Sequence, residues 1–293
     1  MTLILDGKVI SQIIKAEIKV KTHRLFTEKG VQPGLAVLMV GENPASVSYV
    51  NSKEKACLEL GFKSIVKRLI SDVTENEIIE IVDNWNKDNT IHGILVQMPL
   101  PNHIDENKVI LKILPSKDVD GFHPENFGRL VIGLPGFIPC TPEGIMELLK
   151  RYDININGKH VVVVGRSNIV GKPIANLLYQ KNKDANAIVT ICHTGAEDIY
   201  YYTKQADILI AAMGKPLAIK SEHIKKGAVV IDVGINRVDD DTTEKGYKLV
   251  GDIDYDDVFD KVSAITPVPG GVGLMTIAML MQNTFKSAAG EVY

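Results

Sequence analysis

Short runs of consecutive apolar residues alternate along this chain with longer stretches in which apolar residues recur every three or four positions. The first pattern fits strands buried on both faces and the second fits amphipathic helices, so together they predict an α/β protein on mostly parallel sheets. Val9, Ile13, Ile14 and Leu25 mark an opening helix. Residues 35–41 read as a buried strand, and residues 44–60 as a helix that Pro44 opens and Gly61 closes. A strand at 65–70 follows. Thr74 and Glu77 then form a capping box for a helix carrying Ile78, Ile81 and Trp85. Residues 91–96 are the next strand, and Pro99 and Pro101 forbid further sheet pairing, which leaves Gln97 where the strand becomes a loop.

From 115 to 142 the rhythm breaks into turns, and the domain junction is placed there. Thr141 and Pro142 read as N-cap and first residue of a helix reaching about Tyr152. A fresh set of strands follows at 161–165, 187–192, 208–211, 229–233 and 263–265, with Asp239, Asp240 and Asp241 as a solvated hairpin tip. Residues 272–289 are apolar enough for a buried helix.

Composition narrows the function classes. The 293 residues are 45% hydrophobic and 24% charged with a net charge of −3, which fits one or two globular domains and neither a disordered chain nor a nucleic-acid binder. No apolar run approaches the ~20 residues of a membrane span, and Asp6 and Lys8 interrupt any signal-like segment, so the expected location is the cytoplasm. Cys57, Cys140 and Cys192 are scattered, and the seven histidines form no HExxH or His/Cys cluster, so no metal is expected.

Two regions carry candidate chemistry. Residues 159–173 combine a buried strand, a turn through Gly165 and a helix start at Gly171, where N–H groups would face an anion. The G-x-x-x-x-x-G spacing is not the G-x-G-x-x-G fingerprint, and a plain βα turn would also explain it. The next strand, however, ends Cys192-His193-Thr194-Gly195 without the acid that holds a ribose hydroxyl pair, while Arg166 sits in the glycine turn. A carboxylate would repel a ribose phosphate and Arg would bind it, so NADP is expected over NAD. The alternative for Arg166 is a surface residue paired with a nearby Asp.

In the first half, Tyr49 and Lys53 share a helix face, Gln97 stands at a strand's carboxyl end, and Lys117-Asp118-Val119-Asp120-Gly121 lies at the junction. A lysine beside an apolar cleft can lose its proton or polarise a carbonyl-like oxygen, with Tyr49 tuning it, and Asp120 can accept paired hydrogen bonds from an amino-pyrimidine edge. Taken alone, Asp118 and Asp120 would be turn or capping residues. The segment Thr266-Pro267-Val268-Pro269-Gly270-Gly271-Val272-Gly273 is a rigid loop suited to lining a flat ligand.

These strings together resemble one family over nearly the whole chain, the bifunctional methylenetetrahydrofolate dehydrogenase/methenyltetrahydrofolate cyclohydrolases. The resemblance rests on Tyr49-Val50-Asn51-Ser52-Lys53, Val96-Gln97-Met98-Pro99-Leu100-Pro101, Lys117-Asp118-Val119-Asp120-Gly121, Pro139-Cys140-Thr141-Pro142, residues 165–171, Asp232-Val233-Gly234-Ile235-Asn236 and residues 267–273. Seven strings in order are far more specific than any one. This chain has Leu274 where the family typically has Pro.

The resemblance implies oxidation of 5,10-methylenetetrahydrofolate with NADP, then hydrolysis of the methenyl product to 10-formyltetrahydrofolate, a one-carbon donor of the kind purine synthesis consumes. It implies Lys53 as the principal catalytic residue, tuned by Tyr49 and Gln97, with Asp120 on the pterin. Gly165, Arg166, Ser167, Thr194 and Ile235 would contact the cofactor, and Pro269, Gly270 and Gly271 the substrate. It further implies two αβα domains around a cleft. A folate-binding domain at 1–140 would be completed by the helix at 272–293, and a Rossmann-type domain would span 141–271, forming a homodimer through that cofactor domain. Rival readings are a monofunctional dehydrogenase, a non-catalytic dinucleotide-binding module, and a keto-acid reductase for which His193 would be the acid.

Overall fold

The computed structural model of the chain describes residues 1–243 and 246–293. Its elements begin with β1 (Leu3–Ile4), α1 (Gly7–Lys29), β2 (Gly34–Val40), α2 (Pro44–Leu60), β3 (Lys63–Leu69), α3 (Glu75–Lys87), β4 (Gly93–Val96), α4 (Glu106–Lys112), α5 (Pro124–Ile132) and α6 (Cys140–Arg151). They continue with β5 (His160–Val164), α7 (Gly171–Leu178), β6 (Ile188–Cys192), α8 (Ile199–Thr203), β7 (Ile208–Ala211), β8 (Val229–Asp232), β9 (Asn236–Asp239), β10 (Tyr247–Val250), α9 (Tyr255–Val258), β11 (Ala264–Ile265) and α10 (Val272–Ala289). The chain divides into two compact units, one of Gln12–Cys140 with Ile277–Tyr293, the other of Met1–Ser11 with Thr141–Thr276.

The first unit holds a parallel sheet in the order β3-β2-β4. All seven residues of central β2 are buried, which is why its sequence is unbroken by polar side chains, whereas edge strand β3 carries exposed Lys67 and Arg68. Ala36, Leu38, Ile78, Val82, Trp85, Ile94 and Val96 fill its core, each large aliphatic side chain contributing ~1.5–3 kcal/mol. From β2 the chain steps to β3 on one side and then to β4 on the other. The order therefore reverses beside β2, and the residues after β4 stand at a switch point, where α/β sheets bind ligands.

The second unit repeats this logic in a six-stranded parallel sheet, β1-β11-β8-β7-β5-β6. Strands β5, β7 and β8 are buried almost throughout, and the order reverses at β5, between β6 and β7. Gly165 is the first residue past that reversal. Hairpin β9–β10 carries Asp240 and Asp241 at its tip.

Several elements differ from expectation for identifiable reasons. Residues 1–11, assigned by sequence to the first domain, group with the second unit, because β1 pairs with β11. In α1 the buried stripe runs through Ile10, Ile14, Ile18 and Leu25, while Val9 and Ile13 lie off that seam and are exposed. The turn-rich stretch contains a complete helix, α5, capped by His123 and ended by Gly133 at φ 74°. Thr141 lies inside α6 instead of capping it, and its hydroxyl hydrogen-bonds the Thr276 hydroxyl at 2.9 Å.

Candidate active site

Helix α2 is set by Asn43, whose side-chain oxygen accepts from the Ala45 and Ser46 N–H groups, and by Gly61, left-handed at φ 76°. Its buried stripe is Ser46, Val50, Lys53, Ala56, Cys57 and Leu60, so a lysine stands where the helical period calls for an apolar residue. Lys53 is only 7% exposed. Its Nζ donates to Gln97 Oε1 at 2.9 Å, and Gln97 Nε2 donates to the Met98 carbonyl at 2.8 Å, which fixes the amide's orientation. Burial holds the Lys53 ammonium below the ordinary lysine value, and the Asp120 carboxylate pulls it part of the way back. Tyr49, one turn earlier and half-buried, has its phenol pushed up by the same desolvation.

Asp120 lies on the loop before α5. A Cβ at Gly121 would come within 2.6 Å of the Pro139 nitrogen, so only glycine allows that loop to lie against the Ile138–Pro139 backbone. Burial raises the Asp120 carboxyl, while Lys53 and a hydrogen bond with the Cys140 thiol oppose the rise. Lys53 and Asp120 form no direct ion pair among the described residues, yet the attraction between them partly sustains the charge of each. Asn283 on α10 locks the arrangement by donating to the carbonyls of Val119 at 3.0 Å and Ile138 at 3.2 Å. Tyr49, Lys53, Gln97 and Asp120 all belong to the first unit.

Other candidates in this segment are structural. Asp118 accepts from the N–H groups of Phe122 and His123 and from Asn126 Nδ2, tying the start of α5, and burial pushes its carboxyl up to about 7. Lys117 Nζ donates to the carbonyls of Trp85, Asn86 and Asp88 at the end of α3. Sequence reasoning missed Cys140 and Asn283 as partners of the Asp120 loop. Cys140 sits in the Pro139-Cys140-Thr141-Pro142 segment, where a lone thiol signals no role, and Asn283 is one polar residue in an apolar helix.

In the second unit, Gly165 adopts φ 134°, and a Cβ there would overlap the Ala212 carbonyl oxygen. A Cβ at Gly171 would overlap the Gly165 carbonyl, so strand end, turn and helix start are packed as closely as backbone permits. The expectation of open N–H groups at the start of α7 is not met. Val170 and Gly171 donate to Ser167 Oγ, Lys172 donates to the Ser167 carbonyl, and Pro173 has no N–H. The open donors lie earlier, because among the described residues the N–H groups of Arg166, Ser167, Asn168 and Ile169 have no protein acceptor. Successive N–H groups in a glycine turn form an anion-binding nest.

Arg166 is exposed and, among the described residues, makes no ion pair, unlike the Asp-paired surface arginine considered above. Thr194 and Ile235 are exposed in loops after β6 and β8. His193 Nδ1 accepts from the Gly195 N–H at 3.0 Å, so this ring serves the turn. The loop of Pro269, Gly270 and Gly271 is held by the Lys8 N–H, which donates to the Gly270 carbonyl at 3.0 Å. A Cβ at Gly7 would overlap the Gly271 carbonyl oxygen. Leu274 donates its N–H to the Gly271 carbonyl at 3.3 Å, a bond the family's proline could not supply.

Among the described residues, no group of three or more His, Cys, Asp or Glu could hold a metal ion, and no helix is long and apolar enough to cross a membrane.

Comparison with known proteins matches residues 5–120 to the model "Tetrahydrofolate dehydrogenase/cyclohydrolase, catalytic domain" and residues 139–292 to "Tetrahydrofolate dehydrogenase/cyclohydrolase, NAD(P)-binding domain". The chain is 55% identical over 287 residues to the bifunctional protein FolD of Chlorobium chlorochromatii, covering 97% of each. Among solved structures, the bifunctional FolD methylenetetrahydrofolate dehydrogenase/cyclohydrolase from Campylobacter jejuni is 50% identical with a TM-score of 0.93, covering 99% of each chain. The Trypanosoma brucei methylenetetrahydrofolate dehydrogenase-cyclohydrolase, complexed with NADP cofactor and inhibitor, is 38% identical with a TM-score of 0.93, covering 99% of this chain and 98% of that one.

Proposed function

The chain belongs to the tetrahydrofolate dehydrogenase/cyclohydrolase family, and from that premise we infer how its residues divide the work. It is a bifunctional enzyme that oxidises 5,10-methylenetetrahydrofolate to 5,10-methenyltetrahydrofolate with NADP and hydrolyses the product to 10-formyltetrahydrofolate. Bound NADP supplies the hydride acceptor for the substrate's methylene carbon. The second unit fits that group: its Gly165 turn leaves no room for a Cβ, its nest of four N–H groups suits a phosphate, and the Arg166 guanidinium suits the ribose phosphate. Ser167 shapes the turn, and Thr194, in the loop after the adjacent β6, and Ile235, in the loop after β8 two strands away, are assigned to the cofactor.

The folate substrate is assigned to the first unit, through Tyr49, Lys53, Gln97 and Asp120. Asp120 accepts hydrogen bonds from the pterin's amino-pyrimidine edge. The methenyl product is a cation, and a cation beside a buried lysine further favours the neutral amine. In the hydrolysis, Lys53 Nζ accepts a proton as a water oxygen bonds to the methenyl carbon. The ammonium so formed is stabilised by Asp120 and Gln97. It returns that proton to the ring nitrogen as the carbon–nitrogen bond breaks, while the adduct's hydroxyl becomes the formyl carbonyl and gives up its own proton to solvent. Tyr49, one turn earlier on α2, is assigned to tuning Lys53. The observation that carries this reading is a buried lysine, held by a neutral amide, in the apolar stripe of α2. Its test is ultraviolet absorbance with methylenetetrahydrofolate and NADP, in which the methenyl band should rise and then decay. A band that forms and persists would leave only the first activity.

The same reading places the enzyme in the cytoplasm and makes it a homodimer through the second unit. There β6 is an edge strand whose Ile188 and Ile191 are exposed, with Tyr201 exposed on α8. An unpaired, apolar sheet edge suits a second copy. Sedimentation should therefore give twice the 32.1 kDa chain mass, and Ile188→Lys should shift the mass toward one chain.

A further inference from the structure

Two segments at the carboxyl edge of the six-stranded sheet converge on one carboxylate that the reaction does not use. After β7, the N–H groups of Met213, Gly214 and Lys215 all donate to Asp252, at 2.6, 3.1 and 2.9 Å. After β8, Asn236 Nδ2 donates to the same carboxylate at 2.9 Å. The Asp252 N–H in turn donates to Asp232 Oδ1 at 3.0 Å, and Asp232 also accepts from Gly234 at 3.0 Å and from Ile253 at 2.9 Å. Asp252 is fully buried. A Cβ at Gly234 would overlap its carboxylate, and one at Gly251 would overlap that of Asp232, so these are the closest approaches the backbone permits.

Four donors use the acceptor capacity of Asp252, leaving it nothing to offer a ligand. Its effect is mechanical. The segment it grips after β7 begins one residue beyond Ala212, against whose carbonyl the Gly165 turn packs. The segment it grips after β8 holds Ile235 outward, between Gly234 and Asn236, both tied to the carboxylate pair. We propose that Asp252 is a positioning residue for NADP, clasping the loops after β7 and β8 into one platform at fixed spacing from the glycine turn.

The proposal rests on the assignment of NADP to this unit, and the experiment separates the two. Equilibrium titration of NADP is compared for wild type and Asp252→Asn, together with hydrolysis of supplied methenyltetrahydrofolate, which consumes no cofactor. The amide keeps the size of the carboxylate but turns an NH2 toward backbone donors. NADP binding should therefore weaken about tenfold or more while kcat at saturating NADP changes less than about threefold and hydrolysis is unchanged. Should Asp252→Asn fail to fold, Asn236→Ala severs a single tie and should weaken NADP about threefold. Folded Asp252→Asn with wild-type affinity would overturn the clasp, as would equal losses of NADP binding and hydrolysis. Wild type that does not bind NADP would instead overturn the cofactor assignment beneath it.

Discussion

Replacing Lys53 with methionine is expected to lower methenyl hydrolysis by about 10²–10⁴-fold, the range a positioned acid–base group contributes. Methionine approximates the length and volume of the lysine stem, so the buried stripe of α2 stays filled and the fold survives. The variant should then accumulate the methenyl band when given methylenetetrahydrofolate and NADP. The pH dependence has a definite sign. Burial lowers the Lys53 value from 10.5, so the neutral amine is populated at a lower pH than in an ordinary lysine. Hydrolysis by wild type should rise with pH through that lowered value and level off above it. The rise should be absent from the residual rate of Lys53→Met. A methionine variant that hydrolyses at the wild-type rate would remove Lys53 from the chemistry.

The second large effect is on cofactor choice. Arg166→Ala should reduce the preference for NADP over NAD about 10–100-fold, the value of a charge-assisted hydrogen bond to a phosphate. The whole loss should fall on NADP, because NAD carries no ribose phosphate for the guanidinium to meet. Ser167 keeps its hydrogen bonds to Val170 and Gly171, so the turn itself should hold. Catalytic efficiencies measured with each cofactor check this. An unchanged ratio would assign the phosphate to the turn's N–H groups alone.

Legibility from sequence varied with how locally each feature is determined. Helix α2 is readable to the residue because Pro44 and Gly61 punctuate it, and α10 is readable in its start and rough length because it is apolar on nearly every face. Helix α5 was not, since its buried face includes Asn126 and its start is held by the carboxylate of Asp118, a contact made outside the helix itself. The face of α1 was misjudged because apolar residues at 9, 10, 13 and 14 offer two overlapping stripes, and only packing selects the one through Ile10 and Ile14.

The same distinction holds for the site. Lys53, Gln97 and Asp120 stood in recognisable strings, whereas Asn283 acts from a helix more than 140 residues away from its partners. Asp252 was invisible because its partners are mainly backbone N–H groups, which every residue carries and no side-chain pattern reveals. The donors of the phosphate turn were misplaced for a related reason, since Ser167 consumes the helix terminus that the motif suggested was open.

The account turns on Lys53 acting as a neutral amine that takes up a proton. The most direct measurement is the rate of methenyl hydrolysis by Lys53→Arg, in a preparation that still oxidises methylenetetrahydrofolate. Arginine keeps a positive charge in place but cannot release its proton at any working pH. Hydrolysis no faster than in Lys53→Met is the predicted result, and a rate close to wild type would contradict it by showing that a fixed cation suffices.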